Sequence, residues 1–475
     1  MLILKQWKAV APRKTLQSLE KLSDAVSPTY HAILKPARSL QIAALQLDAP
    51  SLLTATSEGA DTYRGRTSVL EGELYANGTE VVALRFETEG PRFRVSRGGE
   101  LVTDEPNTIE ARIFAVTNTA ENDRLNWFVE RAGQSLGMSF EPGSYSSDRF
   151  SELASEPGRT TTTSVDGVNL AGARLLTDRP VRALALAIKT SGGLLVSDLA
   201  KQLPGSTEDQ IVGLRARLES TGLIRSETVV VCKKSQAQVA RAPSEVEIAA
   251  MGAAGVRCGC GRAITDERIE AALTVTDLGR ELLDSSKWFS LVLHEELVRV
   301  GVDQTRILLE QQQGGDEMDV LAELSGELIF FELKDKEFSL GNAYSFGAKI
   351  GIIRPDHSVI VTSDKVGNDA KDHFQRAGLT TPRGDRNRVT GEFEEKPPQI
   401  QYIEGLDTLS QRLSEIASSI YAADAAREFA RVTTRASLDS SELVSVLMRA
   451  YTPGLQQSAM PQRRSARRSS AKGSG

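Results

Sequence analysis

Apolar and polar residues alternate in short runs over the first part of the chain, then give way to helical spacing. Val82, Leu84 and Phe86 alternate with polar or small neighbours, as do Phe93 and Val95. VVALRFETEGPRFRV therefore reads as two strands turning at Gly90-Pro91. IEARIFAV reads as a further strand, and DRLNWFVERAGQSLGM as an amphipathic helix closed near Gly137. A mixed α/β domain over residues 1–170 fits this pattern, and it carries no catalytic motif. Residues 140–170, which include EPGSYSSDRFSELASEPGRTTTTSVDG, read as a long polar linker or loop.

Helices take over from Pro180. PVRALALAIKT reads as one helix, VSDLAKQL as a short second one after a Gly-Gly turn, and STEDQIVGLRARLESTGLI as a longer third. Ser206 is its expected N-cap and Gly222 its stop. IRSETVVVCKK follows as a strand. Three helices and a β-wing over residues 178–280 resemble a winged helix-turn-helix. That resemblance implies that Arg215 and Arg217 face outward toward phosphates or base edges. A helical spacer, a dimerisation module or a protein-binding winged helix fits the same pattern.

The chain has 475 residues, enough for two to four domains, and its 40% hydrophobic and 25% charged residues are ordinary for a globular protein. The net charge of −6 excludes a uniformly basic nucleic-acid binder, so any such surface must be a local patch. No apolar run is long enough to span a bilayer, and no membrane association is expected. MLILKQWKAVAPRK does not read as a signal peptide, and the 3 cysteines cannot form a disulfide framework. A reduced, cytoplasmic location is expected. QQSAMPQRRSARRSSAKGSG, and with it residues 456–475, reads as a disordered tail. Its Arg463, Arg464, Arg467, Arg468 and Lys472 either touch phosphates or, as we read them, are simply solvated.

The cysteines gather in one region. Cys232 ends the VVVC strand, and Cys258 and Cys260 form a Cys-Gly-Cys-Gly turn. Thiolates on tight glycine-rich turns can converge on a tetrahedral zinc ion, so this stretch resembles a zinc ribbon. The first half of such a ribbon would be CxxC, but here it reads Cys232-Lys233-Lys234-Ser235, and serine is a poor ligand. Three readings stand side by side: a degenerate ribbon without metal, a site completed by a distant residue, or three unrelated cysteines. The expectation is that Zn²⁺ is not bound.

The clearest chemistry lies further on. VTDLGRELLDSSKWFSLVLHEELVRVGV reads as two consecutive helices, MDVLAEL as a strand opened by an acid, and Ser325-Gly326 as a tight turn. ELIFFELK follows as a second strand, SVIVTSD as a third, and GNDAKDHFQRAGL as a closing helix. On the second strand Ile329, Phe331 and Leu333 share one face, while Glu332 and Lys334 project from the other. A hairpin brings Asp319 opposite Glu332. Two carboxylates and the Leu333 carbonyl form an open set of hard oxygen ligands suited to Mg²⁺ or Mn²⁺. A bound divalent ion acidifies water and screens phosphate charge, and a lysine two residues beyond the second acid can orient that water.

Asp319 and Glu332-Leu333-Lys334 resemble the PD-(D/E)xK, restriction-endonuclease-like nuclease superfamily over roughly 95 residues. Met318 stands where the namesake proline would be. The resemblance implies an α/β core with flanking helices over residues 281–455. It also implies Asp319, Glu332 and Lys334 as catalytic residues, and a glutamate from the preceding helix as a further metal ligand. Glu296 is the first candidate for that glutamate and Glu295 the second. Lys349 is a candidate contact to the scissile phosphate, its alternative being a surface lysine. Asp335 and Lys336 read as a solvated loop, and His294, His357 and His373 as structural. An α/β multidomain chain results. Its expected function is metal-dependent cleavage of phosphodiester bonds, with DNA the expected substrate and bacterial or antiviral defence a fitting setting. The alternative is a non-catalytic DNA-binding or assembly protein on a retired nuclease fold. LDTLSQRLSEIASSIYAADAAREFARVTT reads as amphipathic helices that either pack on the nuclease core or contact a protein partner or second copy.

Overall fold

The molecule, a computed structural model, is described over residues 1–12, 19–34, 68–77, 80–88, 92–95, 101–104, 108–119, 122–143, 147–155, 165–313, 316–380, 383–386, 393–396, 400–433 and 443. The expected tail at 456–475 and the Gly90-Pro91 turn lie outside these residues.

The first elements are β1 (Ile3–Pro12), α1 (Leu19–Val26), β2 (His31–Leu34), β3 (Ser68–Ala76), β4 (Val81–Thr88), β5 (Arg92–Val95), β6 (Leu101–Asp104), β7 (Thr108–Thr117), α2 (Asp123–Leu136) and β8 (Glu141–Pro142). Six of the strands form an antiparallel sheet in the order β2-β3-β4-β7-β1-β8. Period-two burial divides its faces. Val82, Leu84, Phe86, Ile113 and Ala115 pack on α1 and α2, while Leu74, Ala83, Phe114 and Val116 face the other way. α2 begins where the Asn122 side chain accepts the Leu125 N–H and ends at Gly137, whose φ of 65° suits glycine. The expected β4–β5 pairing is not formed: β5 pairs with β6, and β4 lies between β3 and β7. Ladder hydrogen bonds to two long partners outweigh the local hairpin.

Residues 140–170 are not one polar loop. They contain β8, α3 (Asp148–Ser155) and the start of α4 (Gly167–Leu176). Phe150 and Leu153 of α3 are buried in the same cluster as Leu321 and Leu328, so two apolar residues in a polar stretch suffice to anchor it.

Next come α5 (Arg179–Thr190), β9 (Leu194–Leu195), α6 (Leu199–Gln202), α7 (Glu208–Ser220), β10 (Ile224–Val231), β11 (Gln238–Ala242), α8 (Glu245–Ala253) and β12 (Arg268–Val275). The strands form a sheet in the order β11-β10-β12-β9. The cap of α7 is Thr207, one residue beyond the expected Ser206. Gln210 completes a reciprocal box there: its N–H donates to the Thr207 hydroxyl, and its side chain accepts from the Thr207 N–H. Gly222 closes the helix at φ 72°.

The last group is α9 (Asp277–Leu283), α10 (Lys287–Arg299), β13 (Ile307–Gln313), β14 (Asp316–Leu324), β15 (Glu327–Lys334), α11 (Leu340–Ile353), β16 (His357–Thr362), α12 (Asn368–Arg376), β17 (Arg383–Arg386), β18 (Phe393–Lys396), β19 (Ile400–Glu404) and α13 (Leu409–Thr433). The main sheet runs β13-β14-β15-β16-β19, antiparallel over its first three strands and parallel over its last three. Ile329, Phe331 and Leu333 share a core with α10 and α13. Leu328 and Phe330 share another with Phe346 and Ile350 of α11 and Phe374 of α12. The alternation of ELIFFELK thus places α10 and α11 on opposite faces of the sheet.

The C-terminal run is one 25-residue helix. α13 lies between the first sheet and the main sheet, which is why it is apolar on more than one side. Ile416, Ile420 and Ala425 join a continuous core with Leu74 and Phe114, with Leu184 and Leu223, and with Phe331 and Val361. Residues 1–170, 178–280 and 281–455 therefore share this core. Among the described residues no helix is long and apolar enough to cross a membrane.

α13 also buries Asp424. Burial pushes its carboxyl up to about 7, helped by the charges of Glu428 and Glu327 against Arg427 and the Ser325 hydroxyl. A carboxyl raised in the folded state contributes stability that is complete below its unfolded pKa and fades as pH rises through the folded one. Asp424→Asn should therefore stabilise the protein by roughly 1–3 kcal/mol near pH 8 and leave it almost unchanged near pH 4. Melting curves across that range check this; parallel curves for the two proteins would refute it.

Candidate active site

β14 and β15 pair as far as Val320 opposite Phe331, and Asp319 and Glu332 are the next residues beyond the end of that ladder. The Leu333 N–H donates to Asp319 Oδ2 at 2.6 Å. Lys334 Nζ lies 2.8 Å from Glu332 Oε1 and 3.9 Å from Asp319 Oδ2. The other oxygen of Glu332 is held by Lys349 Nζ, also at 2.8 Å. Glu332 is only 2% exposed, and Phe330, two residues back on the same face, is fully buried beneath it. Asp319, Glu332 and Lys334, expected together from sequence, are together. Two carboxylates and two ammonium groups form one compact cluster at the edge of the β15 core.

Lys349 departs from one of its expected places. It is not a surface residue. It is buried, because α11 turns Ala343, Phe346, Ile350 and Ile353 inward and Lys349 shares that stripe. Glu332 compensates the charge that this burial imposes. Burial and the neighbouring Glu332 charge together push Asp319 up to about 7, against the pull of Lys334, the Leu333 N–H and Lys349.

The helix glutamates do not join the cluster. Glu296 pairs with Arg299 at 2.7 Å, and Glu295 with Arg174. Both lie on α10, whose buried residues meet the Ile329–Phe331–Leu333 face, the side of β15 away from Glu332. Asp335 is not a solvated loop residue: it meets Arg182 Nε at 3.0 Å and accepts the Ser363 hydroxyl at 2.7 Å. Arg182 also lies over the Trp288 ring, 4.8 Å from its centre, and donates to the Leu176 carbonyl at 2.6 Å. This arginine, not singled out from sequence, ties the start of α5 to the residue just after Lys334. Arg215 pairs with Glu219, and Arg217, its side chain 50% exposed, with Asp178. His357 bonds to Glu327, His373 packs on Tyr344, and burial lowers the pKa of His294.

A second cluster lies in the β10–β12 region. Cys232, Cys258, Cys260 and Glu267 bring their ligand atoms within 4.8 Å of one another. Ser235 does not supply the fourth group; its hydroxyl and then its N–H instead attend Cys232, drawing that thiol down to about 7. The Cys260 backbone favours the Cys258 thiolate, but burial and the surrounding thiols and carboxylate push Cys258 up to about 12. Glu267 is drawn down to about 2 by the Cys260 thiol and the Lys233 N–H. Glu267 was not identified from sequence, since no cysteine-like spacing announces a carboxylate just before a strand.

No protein-family model matches the chain, and no curated protein is similar to it. Among solved structures it is similar to protein VC1899 from Vibrio cholerae, with 12% identity over 58% of this chain and a TM-score of 0.30. The match spans 57% of that protein, little more than half its length. It is also similar to a protein of unknown function, AF1548, with 14% identity, 35% of this chain, 97% of that one and a TM-score of 0.19. Likenesses this slight carry no argument about chemistry.

Proposed function

We propose that the protein is a metal-dependent endonuclease acting on DNA, with a PD-(D/E)xK, restriction-endonuclease-like core and a winged helix at residues 178–280. The observation that carries this reading is the convergence of Asp319, Glu332 and Lys334 from neighbouring strands, with the amide of Leu333 fixing one acid.

The residues fit a divalent ion. Two carboxylates come from neighbouring strands, and burial first and the Glu332 charge second push Asp319 up to about 7, so a cation at this point would relieve both. Their oxygens are hard donors, so Mg²⁺ or Mn²⁺ would be held by Asp319, Glu332 and the Leu333 carbonyl. Such an ion, when bound, supplies Lewis acidity toward the phosphate and acidifies water. The chain does the rest. The Leu333 N–H keeps Asp319 turned toward Glu332. Lys349 neutralises one oxygen of Glu332 from inside and fixes its rotamer, which makes Lys349 a positioning residue. Lys334, partly exposed and paired with the other oxygen of Glu332, is the cation placed to steady the attacking water or the charge that develops on phosphate. Glu296, paired with Arg299, is not among the residues this reading places on the ion. For the winged-helix reading, α5, α6 and α7 precede the β10–β11 pair, and Arg215 and Arg217 lie on α7.

The test is cleavage of supercoiled plasmid, linear DNA and RNA with Mg²⁺ or Mn²⁺, against chelator, comparing wild type with Asp319→Asn. Metal-dependent nicking that falls about 100-fold or more in the variant is expected. Cleavage indifferent to both chelator and substitution would overturn the assignment.

A further inference from the structure

We propose that Cys232, Cys258, Cys260 and Glu267 hold a structural zinc ion, against the expectation from sequence. The four ligand atoms lie within 4.8 Å of one another, and ligands around a tetrahedral zinc with thiolate bonds stand about 3.8 Å apart, so a small contraction closes the site. Three thiolates and one carboxylate make a soft, anionic set that suits zinc better than magnesium or calcium.

The backbone is already shaped for it. Cys232 N–H donates to Ala237 O at 2.9 Å and Gln236 N–H returns to Cys232 O at 2.8 Å. Cys258 N–H donates to Arg262 O at 2.9 Å and Gly261 N–H returns to Cys258 O at 2.8 Å. Two hydrogen-bonded turns, the first one residue longer than the second, thus hold the cysteines near one point, with positive φ at Gln236 and Gly261. The Ser235 N–H points at Cys232 Sγ, 3.4 Å away, a bond that favours thiolate. Glu267 is oriented by the Lys233 N–H at 2.7 Å and touches Cys260 Sγ at 2.9 Å. Lys233, Lys234, Arg257 and Arg262 flank the ligands in sequence and offset the excess negative charge that four anions leave around a divalent ion.

The neighbourhood also needs a staple. The local core comprises Val230, Ala242, Ile248 and Ile264, with Ala240, Met251 and Ile269 packed against it. So small a cluster holds the β10–β11 turn and the approach to β12 weakly, and a metal would pin both together.

The full chain, expressed with zinc and purified without chelator, should carry about one zinc per molecule by elemental analysis. Exchange into cobalt should give the thiolate charge-transfer and tetrahedral visible bands. Cys260 is only partly buried, so Cys260→Ser opens no core cavity; it should lower zinc content at least tenfold. Glu267→Gln keeps every thiol and should lose zinc to a chelator that wild type resists. Metal-free protein with 3 freely reactive thiols, stoichiometric iron in place of zinc, or zinc retained undiminished in both variants would overturn the proposal.

Discussion

Lys334→Met is expected to lower DNA cleavage about 100-fold or more while leaving the melting temperature nearly unchanged. The two lysines of the site differ in this respect. Lys334 is partly exposed, and when it is removed Glu332 keeps its pairing with Lys349. Lys349 is buried and faces inward, so Lys349→Met should cost about 1–3 kcal/mol of stability and a smaller share of the activity. Glu332→Gln should do both kinds of damage. It removes an acid the proposed reaction needs and strips Lys349 of its Glu332 charge inside the protein, at a cost of about 3–5 kcal/mol. Cleavage rates under saturating metal, measured beside denaturant melts, separate the three. A Lys334→Met protein as active as wild type would remove the lysine from the chemistry.

Arg85→Ala should be the most destabilising substitution away from the site, by about 3–5 kcal/mol. Arg85 is 0% exposed. It projects from the face of β4 opposite Leu84 and Phe86, and so points at α13. There it pairs with Glu428, while Glu87 pairs with it from its own strand and Phe114 lies under its guanidinium, 4.9 Å from the ring centre. Its loss removes a buried charge that two buried carboxylates share, although Glu87 keeps Arg112 at 3.6 Å. Chemical denaturation of the single variant and of Arg85→Ala with Glu428→Gln would resolve the coupling. A loss under about 1 kcal/mol would mean that water reaches the pair.

Strands and helices with a strong period were legible in the sequence, as were the residues that meet across them. The alternation in ELIFFELK put Glu332 and Lys334 on one face, and the Ser325-Gly326 turn fixed the register that brings in Asp319. Less legible was whatever depends on which elements become neighbours. β5 leaves β4 for β6, and α3 is recruited by Leu321 and Leu328 from far along the chain. The sequence signal for Lys349 was present, since a lysine on the Phe346–Ile353 stripe must be buried. Only the fold shows that its counter-charge is Glu332. For Glu296 the helix was right, but its face depends on which side of the sheet the helix takes. β13 and β19 are edge strands, with weaker patterns because each has one partner.

α13 sets an order of events during synthesis. Leu2, just before β1, donates its N–H to Ser418 on that helix at 3.1 Å, and Arg85 finds Glu428 there. The strands of the first sheet leave the ribosome roughly 300 residues before their cover, an interval of about 15–60 s at ordinary translation speeds. For that time Leu74, Ala83, Phe114 and Val116 present an apolar face to the cell, and Arg85 carries its charge without Glu428. Nascent chains stalled before residue 409 should therefore be bound by chaperones or aggregate, and those released beyond Thr433 should escape both.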